Sequence, residues 1–197
     1  MILFVIMLQL SVSSCSKDDA TTDAQKENTN KDGEKKSEGE TVVINDDGTT
    51  SNGAKYVAID QNNFYLDDIK YSVSDGHLAV SGHSEEFSGD AKIYPNITFK
   101  GTSYDVLEIG ENAFSSILTK LTSITIPNSV TTIGSGAFAY CSRLEKVKCM
   151  SVTPPQIDSS TFGEIDNAAK LFVPMGAENT YRNADVWKDV FHEIVGE

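Results

Sequence analysis

The chain has 197 residues, with 29 acidic against 16 basic side chains and a net charge of −13 at pH 7. That balance excludes a nucleic-acid binder, since a phosphate backbone demands a basic footprint. Apolar residues (39%) and aromatics (9%) suffice for one core, but no aromatic lies between Cys15 and Lys55 and no charge in residues 1–14. The core therefore has to come from the remainder of the chain.

Residues 1–14 open with MILFVIMLQL, apolar apart from Gln9, and carry no Lys or Arg. As a helix they would reach roughly 21 Å, short of the ~30 Å hydrocarbon layer, so they read as a signal peptide and not as a membrane span. Leu10-Ser11-Val12-Ser13-Ser14-Cys15 resembles a bacterial lipobox: a branched apolar residue, small residues, then cysteine. The resemblance implies cleavage before Cys15 once its sulfur carries a diacylglycerol, and a mature chain bearing more than one acyl group is stably held by lipid. Ser16-Lys17-Asp18-Asp19 resembles the export signal of surface lipoproteins from Gram-negative gut and oral anaerobes. The implied location is the outer membrane, facing the cell exterior.

Residues 15–55 follow as a polar tether. From Ser16 to Lys55 there are ten acids and six lysines. Such a segment buries too little apolar surface to offset its ordering entropy, so it is predicted to be disordered, with a span of about 35 Å. Val42-Val43-Ile44 is too short to fold by itself. Asp46-Asp47-Gly48 lacks the downstream bidentate Glu of a calcium loop and reads as linker.

Residues 56–106 are predicted as a cap of β-hairpins. Phe64-Tyr65-Leu66 and Ile69–Val73 alternate as strands, and Asp75-Gly76 marks a turn before His77–Val80. A second hairpin joins Ile97-Thr98-Phe99 to Tyr104-Asp105-Val106 through Lys100-Gly101. Asp67-Asp68, taken as strand residues, would point to opposite faces, which does not suit paired general acid–base chemistry.

Residues 107–175 contain an internal repeat. Ile109-Gly110-Glu111-Asn112-Ala113-Phe114 returns 24 residues later as Ile133-Gly134-Ser135-Gly136-Ala137-Phe138, and again, more diverged, as Ile157 to Phe162. Between these lie strand-like runs: Leu121-x-x-Ile124-x-Ile126, then Leu144-x-x-Val147-x-Cys149, then Leu171-x-Val173. One such coil cannot offset its own ordering entropy with both flanks wet, so stacking is obligatory and the ends need caps. The pattern Ile-Gly-x-x-Ala-Phe followed by Leu-x-x-Ile-x-Ile-Pro-Asn-Ser-Val resembles the BspA-like leucine-rich repeats, most closely over residues 119–138. Ser129 stands where many leucine-rich repeats place an Asn. The resemblance implies a mainly β fold of the α/β solenoid type: a short right-handed solenoid with the hairpin cap at one end and a helical cap, residues 176–197, at the other. Gly176 to Asn183 reads as a short helix, with Tyr181, Trp187 and Phe191 as its apolar lid.

Little here suggests catalysis. His77, His83 and His192 fall on different elements, and no Gly-x-Ser-x-Gly, His-Glu-x-x-His or phosphate-cradling loop occurs. No catalytic, cofactor or metal site is assigned, and His83 with Glu85 and Glu86 reads as a solvated loop. Cys141 and Cys149 fall on interior positions of the repeat and read as small buried hydrophobes; a disulfide between them in an oxidising compartment is the alternative, though it would have to cross the coil. What remains is a surface. In a parallel stack Thr125, Lys146, Lys148, Lys170 and Phe172 share one outward face, a candidate partner-binding strip; a solvated face with one exposed Phe is the plainer alternative. The family resemblance implies adhesion through protein binding, without turnover. A second reading is an accessory glycan-capture lipoprotein beside an outer-membrane importer, with Tyr94 and Phe172 as the candidate sugar-stacking aromatics.

Overall fold

A computed structural model describes residues 40–115 and 120–197; the leader and Cys15 lie outside the described residues. In chain order, strands β1 (Thr41–Val43), β2 (Tyr56–Ala58), β3 (Asn63–Leu66), β4 (Ile69–Ser74) and β5 (His77–His83) precede β6 (Ser88–Lys92), β7 (Asn96–Phe99) and β8 (Thr102–Ile109). The second half adds β9 (Lys120–Ile126), β10 (Thr132–Ile133), β11 (Lys146–Cys149) and β12 (Lys170–Val173). Two short helices, α1 (Glu178–Arg182) and α2 (Trp187–Val190), lead to a last strand, β13 (Glu193–Gly196).

The first sheet runs β1-β7-β8-β5-β4-β3-β2, with β10 beside β8. Its hairpins turn through two residues each: Asp67-Asp68, Asp75-Gly76 and Lys100-Gly101. Both residues of every pair have positive φ, the geometry whose twist matches that of the flanking strands. Asp67-Asp68 is thus a turn and the strand condition considered for the pair does not apply, because a short carboxylate side chain tolerates the left-handed region. Alternate residues (Phe64, Leu66, Ile69, Tyr71, Leu78, Val80) point into the core.

Order also reaches further back than the tether expected through residue 55. Val42 is fully buried and pairs in parallel with Ile97. Three apolar residues do not fold alone, but the free edge of β7 supplies the missing partners. The following acidic stretch is a built turn: the Asp47 carboxylate accepts hydrogen bonds from the Thr49 amide (2.9 Å) and hydroxyl (2.7 Å).

The second sheet is wholly parallel, in the order β6-β9-β11-β12-β13. It opens before residue 107, where the coils were expected to begin, and closes inside the segment read as a helical cap. β6 was not recognisable by propensity, because Ser-Gly-Asp-Ala-Lys has one small apolar residue; pairing with β9 makes it a strand. Ala91, Ile124, Val147, Leu171 and Ile194 line up on the inner side, one from each strand, all buried.

Turns between the sheets stack with the same period. Phe114 and Phe138 lie ring on ring at 5.5 Å with planes 8° apart, and Phe138 and Phe162 at 5.0 Å and 13°. Backbone bonds cross each gap: Phe114 N–H to Ala137 O and Phe138 N–H to Thr161 O, both 2.8 Å. Gly134 donates to Ile109 O at 2.7 Å, and a Cβ on it would stand 2.6 Å from the Glu111 nitrogen, so the Ile-Gly signature reflects close approach of successive backbones. Ser129, in place of the usual Asn, donates its hydroxyl to Val106 O of the preceding coil at 2.7 Å.

Both ends of the ring column are closed. His83 stacks on Phe114 at 6.0 Å, and Phe87 meets the same ring edge-on. At the other end Phe162 packs against Trp187 (5.7 Å) and Phe191 (5.1 Å), with Tyr181 edge-on to Trp187. The helical part of this cap is small, five and four residues. Its work lies at the sheet edge: Arg182 donates to the Ile194 carbonyl at 2.7 Å and the Glu178 side chain lies against Gly196, which blunts the free side of β13.

Candidate ligand-binding face

Register puts ten side chains on the outer face of the parallel sheet in two rows. One reads Asp90, Ser123, Lys146, Lys170, Glu193; the other reads Lys92, Thr125, Lys148, Phe172, Val195. All five strip residues predicted from the sequence, Thr125, Lys146, Lys148, Lys170 and Phe172, therefore sit on this face, and neighbours within a row are one strand spacing apart, about 4.8 Å.

The electrostatics differ from expectation. The lysines do not form a free positive strip, because each meets a carboxylate that the sequence reading did not place there. Lys148 Nζ is 2.5 Å from Glu197, Lys146 Nζ 3.9 Å from the same carboxylate, and Lys170 Nζ 2.9 Å from Glu193. Lys92 pairs with Glu40. Lys146 Nζ also lies 4.3 Å from the centre of the Phe172 ring, so that ring is partly covered by a cation. Hydrogen bonding by Lys148 holds the Glu197 carboxyl below the usual range, and the Ser123 and Thr122 hydroxyls do the same for Asp90. The result is a balanced mosaic, with Lys146, Lys148 and Lys170 opposed by Asp90, Glu193 and Glu197. Glu193 and Glu197 were missed because residues 176–197 read as helix and lid, which hid the last strand.

Other candidates resolve differently. Tyr94, expected as a sugar-stacking aromatic, is only 6% exposed and donates its hydroxyl to Asp67 at 3.0 Å. Its place just after β6 aims it into the hairpin layer. Cys141 and Cys149 are free and buried. The Cys141 thiol points at the Phe114 carbonyl (3.2 Å), and burial pushes its pKa up to about 12. Cys149 lies 3.0 Å from the Tyr181 hydroxyl. His83 belongs to the ring column and sits on β5, not in a solvated loop. Among the described residues no group of three or more His, Cys, Asp or Glu side chains is placed to hold a metal ion. The lipidation candidate Cys15 lies outside the described residues.

One exposed aromatic escaped the sequence reading. Tyr140 is 52% exposed, with φ of 62°, in the turn after Phe138. Turn residues have no period from which an outward direction can be read, and Tyr140 lies between two buried neighbours on the same turn, Phe138 and Cys141.

The pattern of the BspA type leucine rich repeat region matches residues 83–184 in six copies, just over half of the chain. A leucine-rich repeat protein from Bacteroides capillosus aligns at 24% identity and TM-score 0.48, covering 70% of this chain and 99% of its own. A leucine rich cell surface protein from Faecalibacterium prausnitzii aligns at 15% identity and TM-score 0.44 over 72% of this chain, and one from Bacteroides ovatus, a leucine-rich repeat protein, at 22% and 0.42 over 67%. The alignment spans 44% and 40% of the lengths of these last two. No curated protein matches the sequence. The repeat pattern, its six copies and the stacked coils that carry it give one conclusion: this chain belongs to the BspA type leucine-rich-repeat family.

Proposed function

We propose that the protein is a cell-surface lipoprotein, anchored in the outer membrane through acylated Cys15 and facing the exterior, that binds a macromolecular partner without turnover. The coils, wound as a right-handed solenoid, present the outer face of the five-stranded sheet to a protein ligand in an adhesion role. The carrying observation is the register of that face: five parallel strands align Thr125, Lys148 and Phe172 in one row and Ser123, Lys146 and Lys170 in the next. The ion pairs there have side chains 33–53% exposed, so they cost little to open and re-form across an interface. Five strands span about 20 Å, which suits an interface near the low end of stable sizes.

The test has two arms. Protease shaving of intact cells, with mass spectrometry of the N-terminal peptide, should release the folded part and find diacylglycerol on Cys15; an unmodified Cys15 would remove the anchor. A panel of host-matrix and bacterial surface proteins, probed with wild type and the Lys148→Ala/Phe172→Ala double variant, should give a ligand whose affinity falls at least tenfold in the variant. An unchanged affinity would remove the sheet face as the site.

A further inference from the structure

The turn edge of the stack carries a second surface, separate from the sheet face. Three successive turns leave an open groove of about 400 Å³ lined by Glu111, Asn112, Ser135, Tyr140, Ser160 and Glu164, among others. Small residues, Gly136, Ala139 and Gly163, are part of its lining. Gly136 and Gly163 let adjacent turns approach, and Tyr140 N–H bonds Gly163 O across the gap at 2.8 Å.

The polar wall is organised before any ligand arrives. Asp158 accepts hydrogen bonds from the Ser135 and Ser160 hydroxyls and from the Ser160 amide (2.7 Å). Both hydroxyl protons are thereby directed at Asp158, which leaves oxygen lone pairs free to accept. Ser160 Oγ already receives the Gly136 N–H at 3.1 Å. Next to these acceptors stand the Asn112 amide, a donor and acceptor, and the carboxylates of Glu111 and Glu164. Tyr140 adds a flat apolar surface at the edge, and it does so from a backbone conformation that L residues with large side chains avoid. Glu164, one 24-residue period on, has the same left-handed backbone (φ of 58°). The two side chains are therefore displayed at equivalent positions on neighbouring coils.

From this arrangement we propose that the groove binds a neutral oligosaccharide, with one sugar ring stacked on Tyr140 and the rings on either side hydrogen-bonded to Asn112 of the preceding coil and to Glu164 of the following one. A half-exposed ring is a surface on which the C–H side of a pyranose stacks, while two carboxylates, an amide and hydroxyls match the mixed donors and acceptors of sugar hydroxyls. Successive coils repeat at about the width of one sugar ring, so a linear chain running along the stack meets equivalent positions. Among the described residues no cationic side chain lines the groove, which disfavours phosphorylated or sulfated ligands. A basic peptide is less well matched, because Asp158 is already committed to two serines, which leaves Glu111 and Glu164, on turns two coils apart, to meet a cationic chain against a wall otherwise of amide, hydroxyl and aromatic groups.

The experiment uses the whole chain with Cys15→Ser to keep it unacylated, and as probes neutral cello-, malto-, xylo- and manno-oligosaccharides of two to six units. Titration calorimetry should find binding by at least one series, stronger for oligomers than for the monosaccharide and unchanged between 50 and roughly 500 mM salt, where an ionic contact would be screened. Tyr140→Asn removes the ring but keeps a residue that accepts the left-handed backbone, and it should weaken binding at least tenfold. Tyr140→Trp should retain it. Val57→Ala, an exposed position on β2 of the first sheet, should leave it unaltered. No binding by any series at millimolar concentration overturns the proposal, as does binding indifferent to Tyr140→Asn. Salt-sensitive binding of a polylysine peptide at this groove, in place of the sugars, overturns it too.

Discussion

Phe138 is the residue on which the stack depends most. It is wholly buried, with Phe114 on one side at 5.5 Å and Phe162 on the other at 5.0 Å. Truncating a buried Phe to Ala costs about 3–5 kcal/mol in lost transfer energy and cavity formation. Each stacked pair contributes about 0.5–1.5 kcal/mol beyond its area, so Phe138→Ala belongs at the upper end, about 5 kcal/mol. With a urea m-value of about 2 kcal/mol/M, the unfolding midpoint should fall by roughly 2.5 M. The assay is urea unfolding of the Cys15→Ser chain, followed both by far-UV circular dichroism and by fluorescence of Trp187, the single tryptophan. Trp187 touches Phe162, one coil beyond the mutation, so the two signals should move together. A loss below about 1.5 kcal/mol, half the low end for truncating a buried Phe, would refute the idea that neighbouring coils depend on one another's rings. So would a circular dichroism transition that shifts while the Trp187 transition stays in place.

Further outcomes follow from the same geometry. Gly134→Ala places a Cβ 2.6 Å from the Glu111 nitrogen, so it should destabilise by about 1–3 kcal/mol in the same urea assay, while Gly53→Ala, whose Cβ meets nothing, is limited to its backbone cost. Arg182→Ala removes the donor to the Ile194 carbonyl and uncovers β13; amides of residues 193–196 should exchange at least tenfold faster, and unchanged exchange would mean that the edge is closed by something else. Asp158 is held at about 2, first by the Ser135 hydroxyl and then by Ser160, against an ordinary 3.8. A depressed carboxylate stabilises the fold above its unfolded value and loses that contribution as pH falls from about 4 through 2, so the melting temperature should drop across this window in wild type and less steeply in Asp158→Asn. Neither Cys141 nor Cys149 should react with a maleimide in the native state, and both should react after unfolding, read by intact mass; a native adduct on either would contradict their burial.

Much of this architecture was legible where the sequence repeats or alternates. The 24-residue return of Ile-Gly and Phe fixed which residues stack, since nothing but a coil of that length brings Phe114, Phe138 and Phe162 into one column. The Asp75-Gly76 and Lys100-Gly101 turns were readable because few dipeptides accept two left-handed residues. Strands made by tertiary pairing were not readable. β1 and β6 have no pattern of their own and become strands only because β7 and β9 offer free edges. The sheet face was half legible: period-two alternation pointed Lys146, Lys148, Lys170 and Phe172 outward, but their partners are Glu193, on a strand that composition disguised as a cap, and Glu197, just beyond its end. The Tyr140 groove left no periodic trace, because it arises from three turns whose side chains meet only after the coils are stacked.

Native-state hydrogen exchange on the Cys15→Ser chain tests most directly whether the coils form one mutually sheltering platform. The amides that cross between turns, those of Phe114, Phe138 and Tyr140, should exchange only through global unfolding, with the same opening free energy as the urea transition. If the Phe138 amide instead opens at a much lower free energy than the strands on either side of it, the turns are not locked to one another, and a rigid docking platform is the wrong description of this molecule.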